Sequence, residues 1–177
     1  MKTIYTEHSD FLTKEELKGW AKDCYAIRSY VEGLEPDPEW GENSYMLASR
    51  HRSYDIFQVF EFMPLLKKIK EYLPEEVLNS GYCIHGFINW QESFQSLGKH
   101  SHDSYMTGHV TIQGDSGATC YEDQGDVFKT SVTPGSLYLI GHEVPHWVEE
   151  NLSVLDRISI AFSIRKEGEE ERPTTKI

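Results

Sequence analysis

The sequence predicts a mainly β domain, an antiparallel sandwich or jelly roll, standing behind a helical N-terminal half. Beyond Ser80, short runs rich in Tyr, Ile, Val, Phe and Thr are separated by Gly, Asp and Pro. They fall at about 82–90, 105–112, 118–122, 127–132, 136–140, 146–149 and 157–164, the spacing of an all-β fold. Before Ser80 the apolar residues return at helical spacing instead. The chain has 177 residues, 38% of them apolar, enough for one domain to bury a core without disulfide or metal staples.

Taken in order, Thr13-Lys-Glu-Glu16 has the form of a capping box. Leu17, Trp20, Ala21, Cys24 and Ile27 follow at helical spacing, which predicts a helix near 13–30. Gly33, Pro36, Pro38 and Gly41 among acids mark Glu32–Asn43 as a loop. The stretch Ser44–Arg52 is a candidate for a lid or for substrate contacts. A second helix is expected from Met63 to Leu73, where Leu65, Leu66, Ile69 and Leu73 face inward and Lys67, Lys68, Lys70 and Glu71 face water. Pro64 suits its first turn and Pro74 closes it. The last run, Ile158–Ile164, alternates apolar and small polar residues as a half-buried strand does. From Lys166 the chain is polar and is expected to be a mobile tail. The organisation is therefore one domain over 1–177, with 1–80 as helical support or lid, 81–165 as β core and 166–177 as flexible tail.

Composition narrows the function classes. Seventeen Lys and Arg against 29 Asp and Glu give a net charge of −12, which repels phosphate backbones and argues against nucleic acid as a partner. Cys24, Cys83 and Cys120 are odd in number and form no C-x-x-C pair, so free thiols are expected. The N-terminus has no signal-type apolar stretch and no run of 18 apolar residues occurs, so the expected location is cytoplasmic, off the membrane. There is no G-x-S-x-G elbow and no Gly-rich phosphate loop. Glu122-Asp123 and Glu149-Glu150 are adjacent pairs, which on strands point to opposite faces.

Histidine is the informative residue. His100, His102, His109, His142 and His146 lie within 47 positions, five of the chain's eight. His100-Ser-His102 opens a predicted strand, and residues i and i+2 of a strand share a face. His146 follows in Pro134-Gly-Ser-Leu-Tyr-Leu-Ile-Gly-His-Glu-Val-Pro-His146-Trp. In a jelly roll, distant antiparallel strands lie side by side, which brings His146 opposite the pair. Three convergent ligands leave other positions of a metal open for chemistry. His109 and His142 are expected to pack or to support the ligands. On the last strand Arg157 and Ser159 share a face, so guanidinium and hydroxyl can bind one carboxylate together.

Together these residues resemble the iron(II)- and 2-oxoglutarate-dependent oxygenases of the double-stranded β-helix fold, nearest to a little-characterised bacterial and phage branch. The resemblance rests on His100-Ser-His102, Thr107-Gly108, Pro134-Gly-Ser-Leu-Tyr-Leu-Ile140, His146 and Arg157-Ile-Ser-Ile-Ala-Phe162, about 65 residues in all. It implies a cupin-like jelly roll supported by helices, with His100 and His146 as metal ligands. It implies that Arg157, helped by Ser159, binds the C5 carboxylate of 2-oxoglutarate. The implied activity is hydroxylation of a C–H bond, with 2-oxoglutarate and dioxygen converted to succinate and carbon dioxide.

One position departs from the better-known pattern, which has an acid two residues after the first His. Here that place is His102, and Asp103 comes one later. A regular strand gives a three-histidine site; a turn at Ser104 brings in Asp103 instead. The first is favoured. Tyr105 and Trp147, and Trp90 less directly, are candidates to line a substrate pocket. Two other readings remain open: a cupin-type metal enzyme not using 2-oxoglutarate, and a non-catalytic jelly roll with a structural zinc. Met106 and Thr107 stand where a cupin carries its Glu, and Arg157-x-Ser159 separates the first reading from both. Between His100 and Ile164 there are nine acids and two bases, Lys129 and Arg157, so the expected prime substrate is a neutral or cationic small molecule or side chain.

Overall fold

The computed structural model describes residues 5–141, 143–169 and 172–177. The predicted His142 therefore lies outside the described residues. Ten strands form two antiparallel sheets. They are β1 (Tyr5–His8), β2 (Tyr82–Gln91), β3 (Leu97–His100), β4 (Met106–Gln113), β5 (Thr119–Asp123), β6 (Asp126–Lys129), β7 (Leu137–Ile140), β8 (His146–Val148), β9 (Arg157–Lys166) and β10 (Thr175–Lys176). The large sheet runs β1-β7-β4-β9-β2-β10 and the small one β3-β8-β5-β6. Apart from the β5–β6 hairpin, neighbouring strands are distant in the chain, the wiring of a jelly roll. Helices α1 (Lys14–Glu32), α2 (Met63–Lys70) and α3 (Glu75–Leu78) and four short 3-10 turns complete the N-terminal half.

Helix α1 begins where the capping box requires. Thr13 Oγ1 accepts from Glu16 N at 3.2 Å, and Glu16 Oε2 accepts from Thr13 N at 2.8 Å. Its buried Cys24 and Val31, with Leu65 and Ile69 of α2, pack against Ile84 and Ile88 of β2 and Ile158, Ile160 and Ile164 of β9. The even residues of β9 thus face the helices. Its odd residues, Arg157, Ser159, Ala161 and Ser163, face a cleft between the sheets. That division lets an almost wholly buried strand carry a polar site on one face.

Two glycines allow close approach. A Cβ on Gly108 would sit 2.4 Å from Phe162 Cζ and 2.6 Å from the Tyr138 carbonyl oxygen, so the small residue in β4 is a packing requirement. Gly135, at φ +95°, lets the chain turn into β7 while its carbonyl accepts from Leu12 N at 2.9 Å. A Cβ there would stand 2.8 Å from the Leu12 carbonyl oxygen.

The structure differs from the sequence reading at both ends. Tyr5–His8 adds a strand to β7, so the N-terminal segment joins the sheet as well as supporting it. The end of the predicted mobile tail is docked. Thr175 and Lys176 pair with Ile84 and Cys83, Thr175 Oγ1 donates to Asp55 Oδ2 at 2.7 Å, and His85 Nδ1 lies 2.7 Å from the Pro173 carbonyl oxygen. The open edge of β2 supplies the backbone partners that polarity alone does not reveal. The three cysteines are buried. No helix among the described residues is long and apolar enough to cross a membrane.

Candidate active site

The cleft between the sheets has a volume of about 480 Å³, within the range of small-molecule sites. His100 ends β3 and His146 begins β8, directly paired in register, while Tyr121 of β5 pairs with His146 on its other side. His102 follows two residues after β3. Pairing therefore unites the two halves of a motif 44 residues apart. One ring nitrogen from each of His100, His102 and His146 lies within 4.8 Å of the others. The ring centroids are 4.4–5.1 Å apart.

The protonation geometry suits a metal. Nδ1 of His100 lies 2.8 Å from the Gly98 carbonyl oxygen, and Nδ1 of His146 lies 2.8 Å from that of Val144. A carbonyl only accepts, so each Nδ1 carries a proton, and in the neutral ring the lone pair is then on Nε2. Burial, then the neighbouring imidazoles His100 and His146, lowers the pKa of His102 to about 3. Burial, then His100, lowers that of His146 to about 4. Both rings are neutral at physiological pH, the state in which imidazole binds metal. Asp103 is exposed and stands outside this cluster.

Arg157 is 2% exposed, at the start of β9. Its guanidinium donates to Thr119 Oγ1 at 2.9 Å and to Ser159 Oγ at 3.3 Å, both neutral hydroxyls. Among the described residues no carboxylate pairs with it, and its Nε has no partner. Burial pushes its pKa down to about 10. A buried cation surrounded by hydroxyls is suited to receive an anion, because an unpaired charge is costly away from water. Ser159 sits where the sequence puts it, on the same face. Thr119 is an addition, brought in by the small sheet.

Other polar groups of the cleft were not singled out by the sequence. Asn89 of β2 pairs in register with Ser159, is 6% exposed and leaves Oδ1 without a partner. It interrupts the apolar run Ile88-Asn89-Trp90, and that interruption is the signal that could have found it. His109, expected from the sequence to pack or to support the ligands, lines the cleft with Nδ1 3.3 Å from the Tyr121 hydroxyl and Nε2 unpartnered. Trp40, His51 and Phe87 line the cleft too, with ring centroids 6.0 and 5.4 Å apart in sequence. Within Ser44–Arg52, then, Met46, Ala48, His51 and Arg52 reach the site.

The two aromatic candidates do not line the cleft. Tyr105 packs against Tyr82 at 4.9 Å and donates its hydroxyl to Glu76. Trp147 lies between His146 and Val148 on β8, so alternation turns it to the far face, under the Lys99 ammonium at 5.4 Å. It lines a shallow surface groove there. Trp90 is buried in the core.

No protein-family model and no curated protein sequence matches the chain. Solved structures match it across nearly its whole length. A prolyl hydroxylase from Trichoplax adhaerens, in complex with a hypoxia inducible factor oxygen degradation domain peptide fragment, aligns at TM-score 0.69 and 13% identity, over 94% of this chain and 85% of that one. HygX from Streptomyces hygroscopicus with nickel and 2-oxoglutarate bound aligns at TM-score 0.66 and 12% identity, over 94% and 84%. A Pseudomonas putida prolyl-4-hydroxylase aligns at 0.59 and 15%, over 94% and 90%. At such identities the likeness is one of fold, and the fold is the double-stranded β-helix that the sequence predicts.

Proposed function

We propose that this protein is an iron(II)- and 2-oxoglutarate-dependent oxygenase that hydroxylates a C–H bond of a small-molecule or side-chain substrate. The observation that carries this reading is Arg157, a buried guanidinium with no acid partner among the described residues, in the same cleft as three convergent imidazoles. A structural zinc site needs no such anion receptor, and neither does a cupin that does not use a 2-oxo acid.

His100, His102 and His146 would hold the metal through their unprotonated nitrogens. The carbonyls of Gly98 and Val144 fix two of the rings by accepting their Nδ1 protons. An all-imidazole set suits iron(II), and also zinc or nickel. Arg157, Ser159 and Thr119 would bind the C5 carboxylate of 2-oxoglutarate, with Asn89 open beside Ser159. When bound, iron(II) supplies the activation of dioxygen that couples conversion of 2-oxoglutarate into succinate and carbon dioxide to hydroxylation. Phe87, Ala161 and Ile140 keep part of the cleft wall apolar and so limit water there.

The net charge of −12 supports a neutral or cationic prime substrate. So does the pairing of Arg52 with Asp37 and Glu39, and of Lys99 with Glu122, which neutralises cations of the lining. Anaerobic titration of iron(II) and then 2-oxoglutarate tests the reading. Wild type should bind both, and Arg157→Ala should keep the metal while losing 2-oxoglutarate. Iron binding with no 2-oxoglutarate affinity in wild type would overturn it.

A further inference from the structure

The end of the cleft away from Arg157 has a chemistry of its own. Along the β2–β9 ladder Gln91 stands opposite Arg157, Asn89 opposite Ser159 and Phe87 opposite Ala161. Phe87 is thus four residues along the strands from Arg157, about 13 Å and a longer span than 2-oxoglutarate. There Trp40, His51 and Phe87 set three rings in sequence, with centroids 6.0 and 5.4 Å apart. Beside them is Asp37, whose side chain is 3% exposed. Its Oδ1 accepts from Glu39 N at 3.0 Å. Its Oδ2 has Arg52 Nε 2.7 Å away and His51 Nε2 at 3.9 Å, yet among the described residues no donor is aligned to give it a hydrogen bond. His51 Nδ1 is likewise buried without a hydrogen-bond partner. Burial, then Arg172, lowers the His51 pKa to about 4, so the ring is neutral at physiological pH and keeps a lone pair.

A buried carboxylate oxygen without a hydrogen bond is costly until a donor reaches it. The donor that suits this place is a cation, because it meets a carboxylate and aromatic faces attract positive charge. The chain supplies a stand-in of that kind. The Arg52 guanidinium lies against Asp37 and reaches Glu39 Oε2 through Nη2 at 2.8 Å, with 51% of its side chain exposed, so it can turn outward. We propose that this end of the cleft is a subsite for a cationic nitrogen of the prime substrate, a guanidinium or primary ammonium group that takes the place of Arg52 on Asp37. This rests on the oxygenase reading and names the group which that reading leaves open. Asp37 Oδ2 accepts one N–H of the substrate, the neutral His51 accepts another, and the faces of Trp40 and Phe87 cover the charge. Arg52 keeps Glu39 as its partner, so one arriving cation restores the charge balance around Asp37.

The test is calorimetric titration of the full chain, with no metal added, by three probes. They are N-acetyl-L-argininamide, N-acetyl-L-lysinamide and the neutral N-acetyl-L-citrullinamide. A cationic probe should bind many-fold more tightly than the citrulline probe, and the tighter of the two cations tells guanidinium from ammonium. Asp37→Asn keeps the Oδ1 acceptor for Glu39 N, removes the charge, and should weaken the cations many-fold. Arg52→Gln removes the internal competitor from a half-exposed position and should tighten them several-fold, whether or not the Asp37 variant folds. Equal binding of all three probes would overturn the proposal. So would no cation binding at millimolar concentration, or cation affinity unchanged in Arg52→Gln. Succinate release is then measured in the same samples with iron(II), 2-oxoglutarate and air. A bound cation with no succinate in any sample would keep the subsite and remove the oxygenase reading; succinate with no bound cation would do the reverse.

Discussion

Replacing Arg157 with methionine separates what the guanidinium costs the empty protein from what it contributes to binding. Burial lowers its pKa from 12.5 to about 10, worth about 3 kcal/mol against the charged folded state. For a base with a depressed folded pKa, that cost is fully present at pH 7 and fades only as pH rises through about 10. Methionine removes the charge but leaves Thr119 and Ser159 without their donor, at about 1 kcal/mol each. The balance makes Arg157→Met roughly 1 kcal/mol more stable without ligand, or about 2–4 °C in melting temperature for a chain of this size. Ligand reverses the order. At a hundredfold excess over Kd, 2-oxoglutarate should stabilise wild type by about 2.7 kcal/mol. Without its cationic partner the cosubstrate loses about 2–5 kcal/mol of affinity, so the variant gains less than about 1 kcal/mol at the same concentration. The assay is thermal unfolding of nickel-loaded protein with and without 2-oxoglutarate. A variant that melts several degrees lower when empty, yet gains as much as wild type from 2-oxoglutarate, would refute the reasoning.

Further outcomes follow from the same geometry. His102→Ala should lose stoichiometric metal in equilibrium dialysis while Asp103→Ala keeps it; loss in the Asp103 variant and not in the His102 variant would make Asp103 the third ligand. Gly108→Ala should cost about 1–3 kcal/mol in urea unfolding, towards the upper end, because the Tyr138 carbonyl cannot move aside as a flexible side chain does. The Lys68 ammonium, at 2.7 Å, with the Thr13 cap, holds the Glu16 carboxyl down at about pKa 2. Its contribution is present above pH 4.5 and lost as pH falls through about 2, and solvent screening at this partly exposed site keeps it below about 1 kcal/mol. Glu16→Gln should therefore be slightly less stable at pH 7 and equal to wild type near pH 2, read from denaturation midpoints across pH.

The β core was legible because its strands obey a period of two and end in Gly, Asp and Pro. The edge additions were not. Tyr5–His8 and Thr175–Lys176 are short and polar, and become strands only because β7 and β2 offer open edges. The histidine cluster was legible from His100-Ser-His102 and the distal His146, although β3 ends at His100 and leaves His102 outside a strand, and Arg157 and Ser159 from their shared face. Thr119, Asn89 and Tyr121 were not, because their roles depend on cross-strand register. Tyr105 and Trp147 were misplaced for a related reason: closeness to a ligand in sequence does not fix the face on which a side chain lies. Trp147, next to His146, necessarily points the other way on a regular strand.

If three imidazoles and one buried guanidinium make a site for iron(II) and 2-oxoglutarate, iron-loaded protein in air should form succinate from 2-oxoglutarate. Slow succinate release is expected that requires both iron and dioxygen and disappears in His146→Ala and Arg157→Met. Iron-loaded wild type that binds 2-oxoglutarate but releases no succinate, with or without candidate substrates, would contradict it.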